Sequence, residues 1–467
     1  MKSSFYDVLF EAVDLGRYIV EPDIAAHITD YSSLFAELIA SYEMSRLLFV
    51  NQAGVNFLEF PSAVYSRLSH SLGAWHIGSV ALQTIQVRIA SPGGGFSFTN
   101  LLDWLKGHEK KRPEHNRAAE FLVALLLHDC GHGPFSHVLE TNPDLNLNHK
   151  EITAQLIIGG KEPYARLARQ NAKEAGLKTV ASIIRKYELD SEFIAALVSC
   201  KDKDFRKQFP ELLGVKQLVD SKLDIDRIDH YLRDSRLMGI RLVESNIYAL
   251  LSNIVIFPGI DEPEPIRVKE PGIPHVLTAL HCWQMIWTLA LDSPNVRCYE
   301  TMLNRAVSLL LRSGALTEEQ LAFYTDSDLL RMLSTSTEST VTQLYHHLFS
   351  RQPYQYLGHA SVPQKITRDE IESKVDKIAN AANLREHDLL YHIPFRDKPK
   401  EPSSWLRIWT ENDEALSERY SWFTQALFET EERLNKTIKF YIKNKNKEKK
   451  KRVRGLIKEH FARFQSA

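Results

Sequence analysis

Apolar residues recur at three- and four-residue intervals through 32–49, 67–87, 117–129, 151–158, 180–199, 218–235, 275–291, 298–312 and 414–441, and alternating runs are few. A chain patterned this way buries stripes of helix rather than faces of sheet, so the sequence predicts a mostly α protein. One β-hairpin is expected at 254–269, IVIFPGIDEPEPIRVK, where two β-prone pieces flank a Pro, Gly and acidic turn. The stretch 91–116 reads as an insert loop carrying a short amphipathic helix. Its glycines at 93–95 lack the preceding strand and the Gly-Lys-Ser/Thr continuation of a phosphate-cradling loop, and read as a flexible connection. The Pro-rich stretch 394–402 reads as a link to a C-terminal module.

Composition narrows the function classes. With 467 residues, 44% of them hydrophobic and 25% charged, the chain has the makings of a large packed core and is no disordered or coat-like protein. Lys and Arg number 58 against 59 Asp and Glu, so no global field attracts nucleic acid or membrane. Cys130, Cys200, Cys282 and Cys298 share no CxxC spacing, which fits a reducing compartment. Asp7, Glu11 and Asp14 interrupt the N-terminal stretch where a signal peptide is apolar, and the densest apolar run, 121–127, is far too short to span a bilayer. A cytoplasmic protein with no membrane partner is expected. The segment 436–463 concentrates twelve Lys and Arg against two Glu, which reads either as a solvated helix or as a nucleic-acid contact.

Eighteen histidines stand out in this otherwise ordinary composition. Residues 128–137 read HDCGHGPFSH, directly after the apolar helix that ends at Leu127. One His on an apolar face is usually packing, but three His and one Asp between glycines have no packing reason to cluster. Imidazole plus carboxylate is a mixed N/O set that divalent Mn, Fe, Co, Ni or Zn accept. Two distant segments can complete such a set. RLSHSLG (67–73) puts Arg67 and His70 one helical turn apart, and DIDRIDHYLRD (224–234) offers Asp226 and Asp229 on one helical face.

As an ordered series, His, then His-Asp, then Asp, these motifs resemble the HD-domain metal-dependent phosphohydrolase superfamily, in its deoxynucleoside triphosphate triphosphohydrolase branch. The resemblance runs from about 43 to 312 and implies an HD-domain helical core there, between an N-terminal segment 1–42 and a mainly helical C-terminal region 313–467 with its basic tail. It implies that His70, His128, Asp129 and Asp226 bind one divalent ion, that Mg can accompany the substrate, and that Arg67 holds phosphate oxygens through its planar fork. His132 and His137 would line the phosphate path. Pro134 can start the next helix, which would set His137 in its first turn with Glu140 one turn on, as a general acid and its orienter. His149 matches a further family histidine, but the acid that usually follows it is Lys150 here, a residue able to contact phosphate itself.

The segment before the first motif keeps a Gln-x-Gly, so Gln52 could approach the sugar. Leu48 stands where a regulated member has an arginine for its activating nucleotide. Arg227 preserves a cation, whereas His230 replaces a common Tyr. After the hairpin, Trp283, Leu291 and Asp292 align with a family Arg, Tyr and polar residue, unless Tyr299 reaches the pocket from a shifted register. The resemblance therefore implies hydrolysis of a dNTP to deoxynucleoside and triphosphate by a homo-oligomer. The alternatives are another phosphate ester (a nucleoside monophosphate, or a cyclic or oligonucleotide phosphodiester) and a nucleic-acid-binding or scaffold protein with a vestigial site.

Overall fold

The computed structural model describes residues 32–467 apart from 92–93, 112–115, 222, 241–245, 260–261, 263, 364–365, 386, 394–406, 410–413 and 444–445. Most of the N-terminal segment 1–42 and the Pro-rich link 394–402 thus lie outside the described residues. Helices dominate. The principal helices are α1 (Arg67–Thr84), α2 (Leu101–Lys111), α3 (Arg117–Leu127), α4 (His149–Ile158), α5 (Ser191–Ser199), α6 (Ile225–Leu237), α7 (Ile273–Ile286), α8 (Pro294–Arg312), α9 (Asp326–Ser334), α10 (Ser339–Phe349), α11 (Arg368–Ala381), α12 (Ser421–Asn435) and α13 (Lys447–His460). Among the described residues, no helix is long and apolar enough to cross a membrane.

Local chemistry sets the helix starts. Ser66 accepts from the Ser69 N–H ahead of α1, Asn116 from Ala119 ahead of α3, and Asp224 from Arg227 ahead of α6, each satisfying an otherwise orphaned amide. Every residue of α3 is buried, which is why its sequence is apolar nearly all round. It packs on α1 and α5, and α1 packs in turn on α6. These helices share the largest hydrophobic core.

Two small sheets flank the helices. The hairpin is present as β3 (Ile254–Ile256) antiparallel to β4 (Ile266–Lys269). It belongs to a larger sheet of order β2-β1-β3-β4-β7, with β1 (Gln86–Ala90), β2 (Phe96–Asn100) and β7 (Arg407–Trp409). The stretch 91–116, read as loop plus helix, therefore carries a strand as well as α2. The C-terminal region also differs from a purely helical expectation. Its α11 and α13 pack with a four-stranded sheet, β6-β8-β5-β9, formed by β5 (Gln355–Ser361), β6 (Leu389–His392), β8 (Thr437–Ile442) and β9 (Phe464–Ser466). All six residues of β8 are buried. The start of the basic segment is thus a core strand, and α13 presents a cationic face.

Candidate active site

Helices α1, α3 and α6 bring the separated motifs to one point. His70 on α1 directs Nδ1 to Asp229 Oδ2 on α6 at 2.7 Å, and Arg233 pairs with both oxygens of Asp229 at 2.9 Å. His128, capping α3, directs Nδ1 to the Leu125 carbonyl at 2.8 Å. With Nδ1 donating in each ring, Nε2 carries the free lone pair, the tautomer a metal ligand needs. Gly73 makes this approach possible, because a Cβ there would overlap the Asp229 carboxylate and the Arg233 guanidinium.

The two Nε2 atoms lie 3.2 Å apart, with Asp226 Oδ1 at 2.9 and 3.5 Å from them and Asp129 Oδ2 at 3.4 and 3.3 Å. His70, His128 and Asp226 bring their donor atoms close enough together to hold one ion, and Asp129 Oδ2 stands at similar distances from both imidazoles. Burial alone would push both carboxyls up. His128 and His70 nonetheless hold Asp226 well below the usual carboxylate range, and Arg67 and His128 do the same for Asp129. Two ionised carboxylates and two oriented imidazoles fit a divalent cation.

A second cluster adjoins the first. His132 Nε2 is 3.4 Å from Asp129 Oδ1, and the His132 ring stacks on His149 with centroids 3.9 Å apart. Glu140 joins the rest, accepting from His149 Nδ1 at 2.6 Å and from His137 Nδ1 at 2.9 Å. The acid serving His149 is therefore Glu140, whereas Glu151 bonds Asn148 at the start of α4. The expected helix start at Pro134 does not form. Phe135 and Ser136 both adopt positive φ, and a 3-10 turn, Ser136–Thr141, carries His137 and Glu140 instead. Gly131 admits the start of α4, since a Cβ there would lie 2.5 Å from the His149 carbonyl oxygen.

Both clusters open into one cavity of about 510 Å³, whose lining includes Gln52, Arg67, Lys150, Arg227, His230 and Trp283. Arg67 bonds Ser136 Oγ through Nε at 2.8 Å and Asp129 through Nη1. Its Nη2, both ring nitrogens of His132 and Gln52 Oε1 are buried with no hydrogen-bond partner among the described residues. Buried polar groups are rarely left so; Arg67 and Gln52 line the cavity, and their orphaned atoms mark where a polar ligand completes them. Burial, then Arg67, keeps His132 neutral.

The remaining expected residues are placed as follows. Gln52 Nε2 meets His230 Nε2 at 2.9 Å, and His230 Nδ1 meets Asp234 at 2.6 Å, with Tyr65 on the other Asp234 oxygen. Arg227 lies 3.4 Å from Asp224, and Lys150 pairs with Asp220 at 2.8 Å. Leu291 lines the cavity beside Trp283, whereas Asp292 is drawn into ion pairs with Arg297 and Lys439. Tyr299 does not reach the pocket from a shifted register; it is buried in a second hydrophobic core with Phe135 and Val138. The orienting role of Asp229 went unassigned from sequence, although its i+3 spacing from Asp226 already set both on one face. Trp287 and Glu431 also line the cavity, and no motif marks them.

Residues 67–234 match the HD domain family, and residues 294–461 match the HD associated region. The chain thus carries an HD domain followed by an HD associated region. This HD-domain protein is 30% identical to an uncharacterized protein of Mycoplasma genitalium over 44% of its length and 39% of that protein's. It is 28% identical to the uncharacterized protein YwfO of Bacillus subtilis over 64% and 55% of the two chains. It is 23% identical to the deoxynucleoside triphosphate triphosphohydrolase SAMHD1 homolog of Dictyostelium discoideum over 82% and 69%. The HD-domain protein thus spans about half the length of its bacterial relatives.

Proposed function

We propose that this HD-domain protein hydrolyses a nucleoside 5′-triphosphate, a dNTP by the reading its eukaryotic relatives support, to deoxynucleoside and triphosphate. The observation that carries the proposal is the pair of orphaned polar atoms, Arg67 Nη2 and Gln52 Oε1, on residues that line one cavity together with His128, Asp129 and Asp226. His70, His128, Asp129 and Asp226 would hold a divalent ion. When bound, it supplies Lewis acidity toward a phosphoryl oxygen and the attacking water.

The chain's own groups account for the rest. Arg67 Nη2 and the His132 ring hydrogen-bond phosphate oxygens in positions fixed by Ser136 and by the His149 stack. Water forms the new bond to the α-phosphorus, and the bond from that phosphorus to O5′ breaks. His137, oriented by Glu140, gives O5′ its proton. The His137 ring is more than half exposed, and the charge of Glu140 beside it favours the protonated form that this role needs. Gln52 and His230 sit together where the sugar would lie, and assembly as a homo-oligomer is part of the same proposal.

A second reading, a different phosphate ester, is favoured by Trp283 and Leu291 in the lining, which offer apolar surface and no charge. Product analysis on a panel of dNTPs, NTPs, monophosphates and oligonucleotides with Mn, Fe, Co and Mg separates the two. Tripolyphosphate release that is absent in Asp226→Ala supports the first. Turnover of another ester with no dNTP cleaved supports the second. Full activity in Asp226→Ala refutes both.

A further inference from the structure

The loop that carries His132 and His137 is not held by the HD motifs alone. Two consecutive non-glycine residues, Phe135 and Ser136, sit at φ 56° and 59°, a left-handed backbone that L-residues adopt only where their surroundings impose it. Three contacts impose it here. The Phe135 ring is buried in the core that α8, α9 and α10 build. Ser136 Oγ donates to the Asn51 carbonyl and accepts from Arg67 Nε. The Phe135 N–H donates to Asp326 Oδ1 at 2.7 Å.

Asp326 is the first residue of α9, within the HD associated region and some 190 positions from the loop it grips. Its other oxygen, Oδ2, accepts the Asn51 N–H at 2.9 Å. One carboxylate thus ties two loops on either side of the cavity, one leading into Gln52 and the other into His137. Asn304 on α8 supports the same loop further along, donating to the Val138 carbonyl and Thr141 Oγ1 at 3.0 and 3.1 Å.

We propose that Asp326 is a positioning residue that sets the general acid, through which the HD associated region governs leaving-group protonation in the HD domain. The proposal rests on His137 acting as that acid. Asparagine at 326 offers one acceptor for two amides and turns an N–H toward the other, so it loosens the loop without changing the residue's shape.

The test compares an ordinary dNTP with an analogue in which sulfur bridges C5′ and the α-phosphorus, because a thiolate leaves without needing a proton. His137→Ala should slow the oxygen substrate by roughly 100-fold or more and the sulfur substrate far less. Asp326→Asn should show the same selectivity at about 10-fold, in kcat rather than KM and with metal content unchanged. Equal slowing of both substrates by Asp326→Asn, or no slowing, overturns the proposal. Equal slowing by His137→Ala instead overturns the general-acid reading and this proposal with it. If Asp326→Asn fails to fold, amide hydrogen exchange on the wild-type protein decides: Phe135 and Asn51 N–H should both be strongly protected, and rapid exchange at either rejects the clamp.

Discussion

Single residues set the chemistry here mostly through what stands behind them. Asp229 touches no cavity atom named above, yet it fixes the ring of His70 and therefore the direction of its lone pair. Replacing it with Ala should weaken metal affinity by roughly 10–100-fold, as loss of such supporting partners generally does. A metal titration giving the wild-type constant would exclude the role. Glu43 tests burial rather than function. Its carboxyl accepts the Val180 N–H at 3.1 Å, and burial pushes it up to about 7. The folded protein therefore binds that proton more tightly than the unfolded chain. The associated stability is complete below about pH 4.5 and is lost as pH rises through 7, by up to roughly 3 kcal/mol. Glu43→Gln, which keeps an acceptor for Val180, should melt progressively higher than wild type between pH 5 and 8. Parallel melting curves across that range would show the carboxyl is not strained by burial.

At the scale of elements, the HD motifs are packing motifs as much as ligand motifs. The glycine of RLSHSLG lets α1 lie against the Asp229–Arg233 pair of α6. Gly73→Ala should lower both thermal stability and metal occupancy, since the added methyl can fit only if α6 backs away and Asp229 lets go of His70. A variant with wild-type metal content would show that the helices can part without disturbing the ligands. The basic helix α13 behaves differently. Val453 and Ile457 point into the core with the second sheet, while Lys447, Lys451 and Lys458 are exposed. Ile457→Ala should cost about 2–5 kcal/mol in denaturant unfolding yet leave the metal site loaded, because its core is separate from the one behind α1 and α3.

For the whole molecule, the donor sets predict one tightly held ion per chain, bound by His70, His128, Asp129 and Asp226. Metal analysis returning two ions would assign the second to His132, His137, Glu140 and His149, whose ligand atoms are also close enough together to hold one. Chelation should lower the melting temperature, since a ligand of the native state stabilises it by mass action. Much of this was legible in the chain itself. Helical periodicity determined the mostly α fold, and the order His, His-Asp, Asp picked out His70, His128, Asp129 and Asp226, side chains that the structure brings together, because local spacing and residue chemistry are written residue by residue. The second sheet was not legible: the alternation of Ile438, Phe440 and Ile442 with Thr437 and Lys439 is only six residues long and runs on directly from α12, so it is lost in the helical pattern of 414–441. Nor was the pairing of His149 with Glu140, or of Asp326 with Phe135 and Asn51, since nothing local marks partners up to 275 positions apart. The sequence determined which groups could do the chemistry. Only the tertiary structure decided which atoms are turned toward it, because lone-pair direction depends on the second partner each side chain finds.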